Sequence, residues 1–294
     1  MPDTNPAPAP VPAPVPVLAP VLAPGPAPSP STQTQSRMTK AASSANPAGS
    51  QRPDAPRSAH FVLQGKGGVG KSLIASLIAQ YLTDRGRLEA CFDTDPVNGS
   101  LQTIPALKAR PVALLAGDQL NVRSVDQLVQ AIVAAKADVV VDNGAASFLP
   151  LSRYLVENDI AAVLADHATR MVLHTVVTGG GNGLDTLKGL DALVGHFVPG
   201  AAIVVWVNEF FGPARFDGTD FEDTNVYKTH AGQLHGVVTL RKLDPVMFAP
   251  NLSAMLERHL TFAEAAGSDE FMLMEKSRLF RIKTDIWTQL EAVL

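Results

Sequence analysis

Between His60 and Leu240, short uninterrupted apolar runs alternate with stretches whose apolar residues recur at helical spacing. His60–Gln64 (HFVLQ) is such a run and ends at a glycine loop, which predicts a buried strand. Beyond Lys71, residues Ile74, Leu77, Ile78, Tyr81 and Leu82 form one stripe, predicting a helix packed on a sheet, with Gly86 as its stop. Leu88–Phe92 reads as a second strand, ending in Asp93-Thr94-Asp95-Pro96, and Ser124–Ala135 as a helix. Ala137–Val141 predicts a third strand, ending at Asp142-Asn143-Gly144. Ile160–Ala165, Ala202–Val207 and Gly236–Leu240 predict a fourth, fifth and sixth. Apolar strands separated by helices imply a doubly wound α/β fold, a mostly parallel sheet with helices on both faces. Polar residues cluster after the strands' carboxyl ends, where such sheets bind their ligands.

Composition changes this picture at the N-terminus. Residues 1–30 hold twelve of the 23 prolines, mostly alternating with Ala and Val. Such a segment favours polyproline II and resists a packed core. A Ser/Thr/Gln/Ala stretch follows as far as about Arg57, so 1–57 is expected to be a disordered extension and 58–294 one folded domain. Met38 offers a second start of translation. The extension carries a net charge of +2 within a chain of −4, leaving the folded part at about −6. That balance argues against non-specific DNA binding, which needs a basic surface. The single cysteine, Cys91, excludes an intrachain disulfide and a cysteine metal cage. Asp3 and the prolines argue against a secretory signal, and no unbroken apolar run is long enough to span a bilayer, so a cytoplasmic location is expected.

Chemistry concentrates in Gly65-Lys66-Gly67-Gly68-Val69-Gly70-Lys71-Ser72, which matches G-x-x-x-x-G-K-[ST] between a predicted strand and a predicted helix. Glycines let such a loop wrap phosphate with inward-pointing N–H groups, and the helix N-terminus adds its positive dipole end. Lys71 is expected to reach the β- and γ-phosphates, and Ser72 to ligate Mg²⁺.

The fuller pattern K-G-G-x-G-K-[ST], carried by Lys66 to Ser72, resembles the deviant Walker A motif of the MinD/ParA superfamily of P-loop ATPases. The resemblance implies that all eight residues, Gly65 to Ser72, contact ATP. It implies that Lys66 is the signature lysine, reaching the partner's ATP across a homodimer. A cation supplied in trans would make hydrolysis depend on dimerisation. Asp95 falls at the second carboxylate of the family's D-x-D, implying a catalytic residue that orients the attacking water beside Mg²⁺, with Asp93 in support. Val139-Val140-Val141-Asp142 resembles Walker B, so Ser72, Asp95 and Asp142 form the implied metal-proximal set. Gly144 is the candidate switch glycine, although the usual D-x-P-x-G is replaced by Asp142-Asn143-Gly144-Ala145-Ala146. Asn208 stands where the family reads the base edge. The lack of N-K-x-D in Asn208-Glu209-Phe210-Phe211 favours ATP over GTP.

Several longer words, among them Asp93-Thr94-Asp95-Pro96-Val97-Asn98, Ala116-Gly117-Asp118, Val204-Val205-Trp206-Val207-Asn208 and Leu260-Thr261-Phe262, resemble TraL-type conjugal-transfer proteins. This kinship implies a slowly hydrolysing, dimeric switch ATPase that engages a protein partner in plasmid transfer or stability. Two other readings stay open here. One is a metabolic P-loop enzyme of ligase or amidotransferase type; the other is an ATP-dependent positioning factor on DNA or membrane.

Other signals are weaker. Leu279, Ile282, Ile286, Leu290 and Val293 line one face of a C-terminal helix, as a docked core helix or a membrane-surface helix would. Thr178–Gly183 lacks a basic residue and reads as a glycine-rich loop before a helix. The seven histidines show no metal-ligand spacing, and Cys91 reads as a buried, inert thiol.

Overall fold

The computed structural model describes residues 57–95, 99–198 and 200–294. The proline-rich segment, and Pro96, Val97 and Asn98 of the motif after the second strand, lie outside the described residues. Strand β1 (Arg57–Val62) leads through the glycine loop into α1 (Lys71–Asp84), and β2 (Leu88–Asp93) follows. A two-residue strand β3 (Arg110–Pro111) and a small hairpin, β4 (Leu115–Ala116) with β5 (Gln119–Leu120), precede α2 (Val122–Ala134). Next come β6 (Asp138–Asp142), α3 (Phe148–Glu157), α4 (Ile160–Asp166), β7 (Thr169–Thr178), α5 (Gly183–Phe197) and β8 (Ala202–Asn208). A second hairpin, β9 (Arg215–Phe216) with β10 (Thr219–Asp220), leads to α6 (Asn225–His230) and β11 (Leu234–Leu240). Helices α7 (Ala249–Glu257), α8 (Phe262–Gly267) and α9 (Leu273–Val293) complete the chain.

Seven strands form one sheet in the order β11-β8-β7-β1-β6-β2-β3, and every described pairing within it is parallel. The doubly wound α/β fold expected from the sequence is the one observed. Strand residues alternate between two apolar layers: Phe61, Val139, Val141, Leu173 and Val205 pack with α2, α3 and α5. Val62, Val140, Val172, Val204 and Trp206 pack with α1, α8 and α9 on the other face. With both faces covered, the central strands are buried on both sides, and β6 and β8 are apolar along most of their length.

The fourth strand differs from expectation. Ile160–Ala165 is the helix α4, and the strand is the next segment, β7, central to the sheet between β1 and β8. A six-residue apolar run does not distinguish a short helix from a strand. Here Ile160 and Leu164, four residues apart, face the core while Ala162 and Val163 are exposed, which is helical spacing. Strand β7 (TRMVLHTVVT) carries no long uninterrupted apolar run, because polar residues, buried among partners, break it. His174 joins His60 and Trp206, and Thr178 donates from Oγ1 to the Asn208 carbonyl.

The C-terminal stripe is docked. Leu279, Ile282, Ile286, Leu290 and Val293 are all buried, and Trp287 meets Tyr81 and Phe262 edge-on. The apolar face that would enter a membrane surface is already covered by protein. Among the described residues, no helix is long and apolar enough to cross a membrane.

Candidate nucleotide site

The site forms where β1 and β6, neighbours in the sheet, end at the same level, with Val62 opposite Asp142 and Asp93 opposite Asp142 on the other side. Beyond Val62 the chain cannot continue as strand, because two glycines adopt left-handed backbone: Gly68 at φ +72° and Gly70 at φ +100°. These conformations suit glycine and fold the loop back over the N-terminus of α1, for which Gly70 is the cap residue. No side chain caps that end, so first-turn N–H groups keep their anion-binding capacity.

Lys71 is buried, and its Nζ donates to the Lys66 carbonyl at 2.9 Å, spanning the loop it belongs to. Burial lowers its pKa, while Asp142 and Asp95 oppose the shift. A buried ammonium at the base of this exposed loop is well placed to neutralise an incoming anion.

Asp142, the last residue of β6, is 1% exposed. Its carboxyl is pushed up to about 7, chiefly by burial; the neighbouring Asp93 and Asp95 add to the shift, and Ser72 and Lys71 oppose it. Neither carboxylate oxygen has a partner at hydrogen-bond geometry, although the Ser72 hydroxyl interacts with the carboxyl and lowers its pKa. A buried, unpartnered carboxylate beside a hydroxyl matches the hard oxygen donors that Mg²⁺ prefers. No three His, Cys, Asp or Glu among the described residues converge as a closed metal cage. A cation held here would therefore fill its shell with phosphate oxygens and water, the usual state of Mg²⁺ in phosphate sites.

Asp95 lies over this centre. A methyl group added to Gly144 would come within 3.0 Å of the Asp95 Cγ, so that side chain rests on the Gly144 backbone. Asp93 holds the loop that carries Asp95: Oδ1 accepts the Asp95 N–H, and Oδ2 accepts those of Leu101 and Gln102, at 3.0–3.2 Å. Asp93 is thus fully used as a loop clamp, which explains why two aspartates stand one residue apart.

Asn208 ends β8, buried, with its Nδ2 donating to the Val69 carbonyl at 3.0 Å and its Oδ1 accepting the Phe210 N–H. It braces the loop from beneath at Gly70, where an added methyl group would meet Nδ2 at 2.9 Å. Lys66 points outward and pairs with Asp185, in the first turn of α5, at 2.9 Å. That pairing lowers the Asp185 pKa. The structure thus gathers Lys71, Ser72, Asp95 and Asp142 around the loop, with Asn208 under it and Lys66 at its rim.

Three residues that help build the site were not singled out by sequence reasoning. Asp185 pairs with Lys66. Gln64, buried, donates to the Val176 and Thr186 carbonyls and so ties α5 to the start of the loop. Asn143, also buried, links the loops after β2 and β6. The signal for Gln64 was a lone amide between an apolar strand and a glycine; nothing local announced Asp185.

No family model matches the chain. Against curated proteins it is 41% identical over 233 residues to Protein TraL of Escherichia coli, spanning 79% of this chain and 97% of that protein. A second Protein TraL of Escherichia coli is 40% identical over 232 residues, covering 79% and 96%. The chain belongs to the TraL family. Among solved structures, the MinD cell division protein of Aquifex aeolicus aligns at 14% identity, over 78% of this chain and 94% of that one, with a TM-score of 0.44. A plasmid partition protein of Borrelia burgdorferi aligns at 12% identity, over 70% and 96%, with a TM-score of 0.36. Both scores are below one half; the TraL assignment rests on sequence identity, and the P-loop fold on the sheet order and the loop described above.

Proposed function

We propose that this TraL-family protein is a Mg²⁺-dependent ATPase of low turnover, cytoplasmic, working as an ATP-dependent homodimeric switch that engages a protein partner in plasmid transfer or stability. The observation that carries the reading is the buried Asp142 carboxylate, unpartnered in the protein and set beside Ser72 and Lys71 at the mouth of the phosphate loop. It is supported by the loop's left-handed glycines and by the uncapped start of α1.

In this reading the loop N–H groups and Lys71 bind and orient the β- and γ-phosphates. Ser72 and Asp142 would hold Mg²⁺, which when bound offsets phosphate charge. Asp95 positions the attacking water, and Asn208 keeps the loop in shape below the base. Lys66 leaves Asp185 to contact a second copy's nucleotide. Phosphoryl transfer depends chiefly on positioning and charge neutralisation, which these groups supply.

The test is equilibrium binding of a fluorescent ATP analogue together with phosphate release, with and without Mg²⁺. Wild type should bind ATP more tightly than GTP and release phosphate only with Mg²⁺. Lys71→Ala should weaken binding tenfold or more, and Asp95→Ala should bind normally while hydrolysis falls about 100-fold. Binding that ignores both Mg²⁺ and the Lys71 substitution would overturn the reading.

A further inference from the structure

The two loops that frame the site are joined by one residue that the catalytic reading leaves unused. Asn143 follows Asp142 and is 1% exposed. Its Oδ1 accepts from the Ser147 hydroxyl at 2.8 Å and lies 3.0 Å from the Thr94 hydroxyl, between Asp93 and Asp95. The Thr94 hydroxyl has one proton and two acceptors at 3.0 Å, Asn143 Oδ1 and the Asp142 carbonyl, and that carbonyl also accepts the Thr94 N–H. The Asn143 Nδ2 donates to the Gly144 carbonyl at 2.9 Å, fixing the peptide on which Asp95 rests. Gly144 occupies the proline position of the D-x-P-x-G pattern, where an added Cβ would press on the Asp95 side chain at 3.0–3.1 Å. One buried amide therefore ties the Asp95 loop, the Gly144 backbone and the start of α3 into a single unit.

We propose that Asn143 is a positioning residue that couples the Asp95 loop to the Gly144 loop, so that the two rearrange together and set the Asp95 carboxylate for catalysis. This rests on the reading of Asp95 given above. Asn143 acts only through its neighbours: its amide is consumed by Thr94, Ser147 and Gly144. In a dry setting the members of such a network support one another, and breaking one loosens the others.

The test compares Asn143→Ala, Thr94→Val and Thr94→Ser in steady-state hydrolysis, alone and combined with Asp95→Ala. Asn143→Ala and Thr94→Val should lower kcat tenfold or more with KM changed less than threefold, and Thr94→Ser should stay within about twofold of wild type. Asn143→Ala in the Asp95→Ala background should have no further effect, because both act on the same step. Multiplying losses, or KM rising in step with the loss of kcat, would reduce Asn143 to a structural role and sink the proposal. Amide hydrogen exchange reads the coupling without any hydrolysis. In wild type, amides of 99–102 and 144–151 should open at rates within about threefold of each other, and in Asn143→Ala these should separate by more than tenfold. Unlinked rates in wild type would overturn the coupling, whereas linked rates in a protein that releases no phosphate would sustain it and discard the hydrolytic reading alone.

Discussion

A carboxylate buried without a donor destabilises the fold that contains it, because its charged form has lost water and gained no partner. Asp142 is in that position, at the one point where three apolar strand residues, Val139 to Val141, deliver a side chain to the phosphate loop. The residue is kept at a cost to stability, as expected of a group that awaits a cation. Asp142→Asn should therefore raise the melting temperature of the nucleotide-free protein, each kcal/mol regained being worth about 2–4 °C in a domain of this size. The same substitution should abolish the further rise that Mg·ATP gives wild type, since a ligand stabilises only the state that binds it. Differential scanning fluorimetry with and without Mg·ATP reads both effects. Lower stability of the apo variant together with an intact Mg·ATP shift would remove Asp142 from the metal site.

Among elements, β7 teaches most. Its hydrophobic pattern is broken by His174, Thr175 and Thr178, and only tertiary partners make these acceptable inside a parallel sheet. The Trp206 Nε1–H donates to His174 Nδ1, so neutral His174 carries its proton on Nε2 and donates to His60 Nδ1, each at 3.0 Å. The His60 proton is then on Nε2, which has no partner. Burial keeps His174 well below the usual histidine range and pushes His60 down to about 3, with Arg87 and Arg170 adding to the shift on His60. Both folded-state values are depressed, so the unfolded chain takes up protons first as pH falls below about 6.5, and stability declines from there toward about 3. Each histidine contributes up to about 1.4 kcal/mol per pH unit in that window. Asp142, raised to about 7, takes up a proton in the folded state over the same range and offsets part of this decline. Urea unfolding at pH 7, 6 and 5 should therefore show a net decline that His60→Leu reduces by more than half. An unchanged slope would place the acid sensitivity elsewhere. The same chain of partners explains what could be read in advance. Strands β2, β6 and β8 are apolar along most of their length, β1 ends in an apolar run, and the glycine loop carries its own signature, so they were legible. β7 was not, because its identity depends on residues 114 positions away and more than 30 positions downstream. Likewise Asp95 and Asp142 were legible from motif spacing, while Asp185 and Asn143 take their roles from contacts between separate loops.

For the whole molecule, the proposed homodimer turns on what would become of Lys66 against a second copy. Its ion pair with Asp185 is partly exposed on both sides, and such pairs hold weakly and are screened by salt. A phosphate carries more charge and more acceptor oxygens than one carboxylate, which is why the proposed dimer would exchange Asp185 for nucleotide at Lys66. The carboxyl edge of the sheet also presents Leu149, Leu184, Phe210 and Phe211 to solvent, following β6, β7 and β8. Large exposed apolar side chains around a charged mouth are what a face has when it closes against another protein surface. Sedimentation velocity should therefore show a monomer without nucleotide and a dimer with Mg·ATP. Asp185→Ala should dimerise at lower protein concentration, because Lys66 no longer has a partner to leave. Lys66→Ala should bind ATP within a few-fold of wild type yet lose hydrolysis by 100-fold or more, in keeping with the 10³–10⁵ that a cation supplied in trans can contribute. Mixing is the stricter form of the test. Lys66→Ala retains a complete phosphate loop, so adding a Lys71→Ala protein, which still offers Lys66, should restore phosphate release in the mixed dimer. If Lys66 acts within its own subunit, no mixture of the two recovers activity, and the protein hydrolyses ATP, if at all, as a monomer.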